Sequence, residues 1–472
     1  MKVALVHYHL RTGGVTKVIT DQSTALTALG IEHLVLSAGP APVGLPHAEV
    51  PELEYLSEAP ATANNLHQIL RSHCQEHLGG IPDIWHLHNP TLGKNILYPQ
   101  LITDIAESRV PLILQTHDFA EDNRPSNYPI LLGTKNYPLA PQVHYAFINN
   151  RDQQLLKQAG LPSSQSHFLP NAVLLPDSEQ TPLSQETEKL VLYPVRAIRR
   201  KNIGEAVLLS ALAPTKTRFA VSLKPDNQVW QEIHGFWQTF AQRHNLPIVF
   251  DVTNRTSPCE GADSDFHSWA RESSHFLTTS IAEGFGLAFL EPAAFGKPLL
   301  GRDLPEITAD FRKKEINPGR LYQSIPLALD TLDQVALRQE FEKQLTTNYR
   351  QYGKELKKEE LEEGWQHFTE NGVVDFGSLS ESFQAEIIKD IIEGKRSDFE
   401  SLREWLHQTL KEKTPTASAE QLDSYTLGQS QKNLLALYQT ASGATPEEPS
   451  WLPKEQVLAQ YLSPTRFHFL RS

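Results

Sequence analysis

Cysteine is scarce. Cys74 and Cys259 are the only two in 472 residues, too few for a disulfide framework and without metal-ligand spacing, so both read as core thiols in a reducing compartment. Long apolar runs are missing too. No stretch approaches the eighteen or so residues needed to cross a bilayer, and the apolar part of the opening "MKVALVHYHL" is far too short for a signal peptide. The expectation is a cytoplasmic protein with no integral membrane segment. Positive charge is in deficit: 43 Lys and Arg against 56 Asp and Glu leave a formal net charge of −13, which argues against nucleic acid or an anionic membrane as a general partner. A small ligand is the expected partner.

What is present describes a globular chain. Hydrophobic residues make up 39% and charged residues 21%, and the length exceeds what one ordinary core accommodates, so two or three domains are expected. Strand and helix signals alternate from the start: "KVALVHYH" (2–9) reads as a buried strand, 13–30 as a helix closed by Gly30, and "EHLVLSA" (32–38) as the next strand. Further strands are expected at 83–89, 111–118 and 144–150, spaced widely enough for the helical crossovers of a parallel sheet. A polar, proline-punctuated stretch at 175–189 reads as a linker. The pattern then restarts, with strands at 190–196, 218–223, 248–252, 275–280 and 297–303, and helices at 202–212, 227–244 and 286–296, the last stopped by Gly296. The domains are therefore placed at 1–175 and 189–325. From 326 to 472 the chain reads as a helical extension, in which Ser378 and Glu381 form a capping box ahead of Phe383, Ile387, Ile388 and Ile391. Apolar stripes such as Leu402, Trp405, Leu406 and Leu410 are packing surfaces.

Chemistry concentrates where strands end, the place where open α/β sheets bind ligands. "SIAEGFGLAFLEP" (280–292) sets Glu283 before a glycine run and Glu291 about two helical turns later. Gly284 and Gly286 allow close backbone approach to a ligand, and the free N–H groups of a helix start favour an anion. On spacing alone the two glutamates suit either a pair of polyol grips or an ordinary helix start. "VRAIRRKN" (195–202) sets Arg196 at a strand end and Lys201 at the head of a helix; alone, it reads as a solvated basic turn. "RTGGVTKVI" places Gly13 and Gly14 after the first strand but lacks the full dinucleotide fingerprint. "LILQTHD" ends a strand on His117, and "WHLHN" supplies His86 and His88, a metal-compatible pair with no evident third ligand.

Taken together, "SIAEGFGLAFLEPAAFGKPLLGRDLPEI" with "VRAIRRKN" upstream resembles the signature of retaining GT-B glycosyltransferases of family four, over roughly residues 1–310. The resemblance implies two Rossmann-like domains facing one another across a cleft, with the first holding an acceptor and the second a nucleoside diphosphate sugar. It implies transfer of a hexosyl unit with retention, without a metal or other cofactor. By the matched motifs, Glu283 contacts hydroxyls of the donor sugar and the backbone of Gly284, Phe285, Gly286 and Leu287 holds sugar and phosphate. Glu291 takes the ribose, Arg196 and Lys201 clamp the diphosphate, Gly13 and Gly14 approach it, and His117 lies beside the sugar. Arg and Lys at that point would stabilise charge that accumulates as the diphosphate departs. Two other readings share the scaffold: a glycoside phosphorylase and a silent nucleotide-sugar-binding protein. The sequence departs from the family after "LPEI", and its extension could shape the acceptor site, cover the cleft or mediate a homo-oligomer contact.

Overall fold

The computed structural model describes residues 1–11, 13–58, 65–173, 188–254, 266–411, 417 and 421–471. Of the linker expected at 175–189, residues 175–187 lie outside the described residues, as does Cys259, and Lys189 already opens a strand. Two compact units account for the chain: Met1–Ala172 with 346–357 and 423–466, and Val173–Leu345 with 358–422 and 467–472.

In the first unit, β1 (Lys2–His9), β2 (Glu32–Ala38), β3 (His47–Glu49), β4 (Ile84–His88) and β5 (Leu112–Thr116) belong to the main sheet. A short β6 (Pro138–Leu139) stands apart from it, and β7 (Val143–Phe147) and β8 (Ser166–Phe168) complete it. The seven strands run in the order β3-β2-β1-β4-β5-β7-β8 and every pair is parallel. Leu5 lies opposite Val35 on one side and His86 on the other. Six consecutive residues of β1 are buried, as expected of a parallel strand covered on both faces. The helix expected at 13–30 spans Gly14–Ala28, with Gly30 at φ +66° behind it.

The second unit repeats the design. β9 (Lys189–Arg196), β10 (Thr217–Leu223), β11 (Ile248–Val249), β12 (His275–Thr278), β13 (Leu299–Arg302) and β14 (Arg320–Tyr322) form a parallel sheet in the order β11-β10-β9-β12-β13-β14. Leu192 sits between Ala220 and Phe276. In each unit the first three strands run outward to one edge and the rest to the other, so strand order reverses beside the first strand. The crevice at the strands' carboxyl ends opens there. The reversal falls between β1 and β4 in one unit and between β9 and β12 in the other.

The segment expected as a separate helical extension is divided between the two units. The helix Leu427–Ser442 buries Leu434, Leu437 and Tyr438 against Val3, Leu5 and Ile113 on one face of the first sheet. Leu452, Val457 and Tyr461 join Trp85 and Tyr145 on the other face. Each such side chain contributes about 1.5–3 kcal/mol on burial, so this segment is part of the first core. A two-stranded ribbon, β15 (Pro326–Ala328) with β16 (Val373–Asp375), precedes the helix Glu381–Ile392, which packs on Ile203–Leu212 of the second unit. The strand β17 (Ser450–Trp451) pairs with β6. Leu406 and Leu410 are buried as expected, and Trp405 meets the Tyr322 ring edge-on at 5.0 Å. Cys74 is fully buried and its thiol is pushed up to about 12 by burial. No helix of the described residues is long and apolar enough to cross a membrane.

Candidate functional site

In the second unit the loops after β9 and β12 meet at the reversal point, and most of the expected residues sit on them. Arg196 ends β9, and residues 199–201 make one 3₁₀ turn that closes on Asn202 at φ +49°. Asparagine tolerates that left-handed conformation better than most residues. The turn is tied to the neighbouring loop by a dense set of bonds. Ile281 N donates to Arg200 O at 3.0 Å, Thr279 Oγ1 to Lys201 O at 3.0 Å and Asn202 O at 3.1 Å, and Tyr193 OH to Lys201 O at 2.8 Å. Tyr193 OH and Ser280 Oγ share a further bond of 2.9 Å. These contacts bring Lys201 and Glu283 together as an ion pair whose side chains are only 12% and 10% exposed. Burial alone would raise the Glu283 carboxyl, but Lys201 and Arg200 outweigh it and hold the group below the ordinary glutamate range. Arg196 pairs with Asp226 instead; that aspartate is 82% exposed, so the contact is weak and readily exchanged.

The glycine run behaves differently from expectation. The single helix expected over 286–296 is two short turns, a 3₁₀ turn at Leu287–Phe289 and one α-turn at Glu291–Ala294. Pro292 explains the break: its ring would collide with the carbonyl four residues earlier in a continuous helix, and it has no N–H to donate. Glu291 therefore opens the second turn, and the notion of one helix N-terminus facing a ligand does not hold here. Gly286 has φ +90°, and a Cβ there would lie 2.7 Å from Ile307 Cγ2. Phe285 points inward, edge-on to Phe311 at 5.9 Å, so only its backbone is left for a ligand. Leu287 is half-buried.

Beneath the turn lie braces that sequence reasoning missed. Glu381 grips Arg199 through two bonds of 2.7 and 2.9 Å, so it is engaged in an ion pair, and Ser380 rather than Ser378 occupies the N-cap of its helix; the expected capping box is absent. Gln384 Nε2 donates to Asn202 Oδ1 at 3.0 Å, and Asn202 Nδ2 donates to Glu205 Oε2 at 2.9 Å. Glu205 is fully buried and meets Arg302, which also binds Asp375. Asn202 carried a local signal as a left-handed turn former. Glu381 and Gln384, 182 residues from their partners, carried none.

In the first unit, Gly13 and Gly14 lead from β1 into the helix Gly14–Ala28. Gly13 is extended, and a Cβ on Gly14 would meet nothing within 4 Å. Among the described residues no side chain caps this helix, which leaves N–H groups at its start suited to an anion. His117 closes β5. Asn89 Oδ1 accepts from both His117 N at 3.0 Å and Asp118 N at 2.9 Å, while His117 Nε2 and His88 Nδ1 lie 3.0 Å apart. His88 stacks on His86 at 4.6 Å, and His86 Nδ1 meets Tyr438 OH at 2.8 Å. The pair expected as metal-compatible is thus engaged in an imidazole array with His117, and His7 approaches His88 O at 3.4 Å.

Burial keeps this array neutral. It lowers His7 and His86 to about 3 and His117 to about 4, and holds His88 well below the ordinary range. The unfolded chain takes up protons near pH 6.5 and the folded chain does not, so stability is complete above pH 6.5 and is lost as pH falls toward 4. Glu121, pushed up to about 7 by burial, opposes this by one proton. Four histidines against one glutamate leave about three protons, or about 4 kcal/mol per pH unit, once the pH has fallen to about 5.5, and His144 and His275, lowered to about 4, and His468, lowered to about 3, add to the loss. Unfolding titrations between pH 5.5 and 7.5 are expected to show that loss, and His86→Gln to lessen the slope by about 1.4 kcal/mol per pH unit; a flat profile would contradict the burial of these rings as neutral groups.

No family model matches the chain. It is 26% identical to a mannosylglucosyl-3-phosphoglycerate synthase of Petrotoga mobilis, an alignment covering 72% of each protein. Among solved structures it resembles a sucrose-phosphate synthase from Thermosynechococcus elongatus, with TM-score 0.54 and 12% identity over 93% of this chain and 98% of that one. It also resembles Anabaena HepE in complex with UDP, with TM-score 0.54 and 14% identity over 92% of this chain and 99% of that one. The chain has the GT-B fold, with two Rossmann-like parallel-sheet domains.

Proposed function

We propose that this protein is a glycosyltransferase that moves a hexosyl unit from a nucleoside diphosphate sugar to an acceptor with retention of configuration and without a metal ion. The observation that carries the reading is the nearly buried ion pair of Lys201 and Glu283, brought together by the loops after β9 and β12 at the reversal point of the second sheet, where Arg196 ends β9. The Petrotoga relative, whose name specifies synthesis of a phosphorylated glycoside, supports glycosyl transfer, and HepE, solved with UDP, supports the donor class.

In this reading Arg196 exchanges its exposed partner Asp226 for diphosphate oxygens. Lys201 adds a point charge, already oriented by Glu283 and by the bonds that fix its backbone. Charge growing on the departing diphosphate is then met by two cations, of which Lys201 is already held in place. Glu283, held ionised by Lys201 and Arg200, accepts hydrogen bonds from hydroxyls of the transferred sugar. Glu291 accepts from the ribose, and in the first unit the open space at Gly14, at the start of a helix with no side-chain cap among the described residues, suits an anion. Glu283 and Glu291 are binding groups here, not the acid and nucleophile of a glycosidase, which must flank one scissile bond.

The test is binding of a free nucleoside diphosphate in the presence of a chelator. At one hundred times its Kd it is expected to stabilise the protein by about 2.7 kcal/mol. Glu291→Gln is expected to weaken that binding, whereas Glu283→Gln, which removes a competitor for Lys201, is expected to leave it intact or tighten it while lowering kcat. Stabilisation that vanishes with the chelator would overturn the metal-free assignment, and the opposite behaviour of the two variants would overturn the assignment of sugar and ribose.

A further inference from the structure

The first unit has its own reversal point, between β1 and β4, and a cation without a counter-ion stands there. Lys94 follows β4 on a loop held in place by backbone bonds: Leu56 N donates to Lys94 O at 2.8 Å and Ile96 N to Leu56 O at 2.9 Å. Asn95 Nδ2 donates to Glu52 O and Glu54 O at 2.8 and 2.7 Å. The Lys94 ammonium is half-buried and lies 5.6 Å from the centroid of the exposed Tyr55 ring. Nearby carboxylates are already committed, Glu54 to Arg11 at 2.5 Å and Asp118 to Arg124. Among the described residues no carboxylate lies within ion-pair distance of Lys94 Nζ.

An ordinary surface lysine keeps its head in water and pairs loosely or not at all. Lys94 differs in that burial and the neighbouring Arg124 guanidinium both press its ammonium below the usual lysine range. Three cations, Arg11, Lys94 and Arg124, face two carboxylates in a chain whose acidic residues outnumber its basic ones, 56 to 43. A partly desolvated, uncompensated charge in a ligand crevice is a binding-site signature. His117, which the family resemblance places beside the donor sugar, directly precedes Asp118 and shares its Asn89 anchor.

Resting on the glycosyl-transfer reading, we propose that Lys94, with Arg124 and Tyr55, receives an oxyanion of the acceptor, so that the acceptor is an acidic molecule carrying a phosphate or carboxylate. Lys94 supplies the unpaired charge, Arg124 a second cation whose aspartate partner is partly exposed, and Tyr55 a hydroxyl beside them. A neutral acceptor would leave the Lys94 charge uncompensated in the bound state.

The experiment is calorimetric titration of the full chain with 3-phosphoglycerate, with inorganic phosphate, and with glucose as the neutral control. Wild type, Lys94→Met and Lys94→Arg are compared, and UDP, ADP and GDP are titrated in parallel. Wild type is expected to bind 3-phosphoglycerate or phosphate and not glucose. Lys94→Met is expected to lose at least tenfold in that affinity, Lys94→Arg to retain most of it, and nucleoside diphosphate affinity to stay within about twofold in both. Absence of anion binding to the wild type, equal binding by Lys94→Met, or a matching loss of diphosphate affinity in Lys94→Met would each overturn the acceptor assignment. If 3-phosphoglycerate behaves as expected while no nucleoside diphosphate binds, the anion site stands and the nucleotide-sugar donor reading is the one that fails.

Discussion

Lys201→Ala is expected to lose about 100-fold or more in turnover of the sugar donor, the scale of deleting one preorganised group that meets developing charge. Arg196→Ala is expected to lose a similar factor. The two differ in stability, because their surroundings differ. Lys201 and Glu283 are both nearly buried, so removing the lysine leaves a carboxylate with only Arg200 and Ser280 to offset its desolvation, a loss of about 3 kcal/mol. Arg196 is one-third exposed and its partner Asp226 lies in solvent, so Arg196→Ala should unfold within about 0.5 kcal/mol of wild type. Near-normal turnover in both variants would reduce residues 195–202 to a basic turn.

Arg302→Ala is expected to be the most destabilising single change in the second unit. Arg302 is nearly inaccessible and binds Glu205 through Nε at 2.9 Å and Nη2 at 2.5 Å, and Asp375 at 2.7 and 3.0 Å. Burial pushes the Glu205 carboxyl up and Arg302 draws it only partly back, whereas at Asp375 the guanidinium outweighs burial and holds the carboxyl below its ordinary value. Loss of the cation leaves two enclosed carboxylates, at a cost of about 3–5 kcal/mol. The consequence reaches the site. Glu205 also holds Asn202, the left-handed residue that ends the cationic turn, so donor affinity should fall along with stability. Denaturant titration and nucleoside diphosphate binding of the same variant check both effects; a variant as stable as wild type would contradict the description of this triad as closed to solvent.

The strands that carry the site were legible because they are fully covered parallel strands written as unbroken apolar runs: "EHLVLSA" matches β2 residue for residue, and "LVLYPVR" gives β9 to within one position. Three-residue strands such as His47–Glu49 and Arg320–Tyr322 left no periodicity to read. The placement of Arg196, Lys201, Glu283 and Gly286 on loops at strand ends was legible because strand ends and chain reversals leave local signals. The helix over 286–296 was misread because the apolar residues have helical spacing while Pro292 forbids a continuous one. The role of the last 147 positions was hidden for a different reason. Tyr438, Tyr461, Glu381 and Gln384 act on partners 182 to 352 residues away, and nothing local distinguishes a helix face that closes a distant sheet from one that packs on its neighbour.

The most direct test of the central claim is nucleoside diphosphate release from a panel of nucleotide sugars by the full chain, with 3-phosphoglycerate as acceptor, read beside Lys201→Ala. The account predicts turnover of at least one donor in the presence of a chelator and its loss by about 100-fold or more in the variant. No release from any donor, or phosphate-dependent breakdown of a glycoside without a nucleotide, would contradict it.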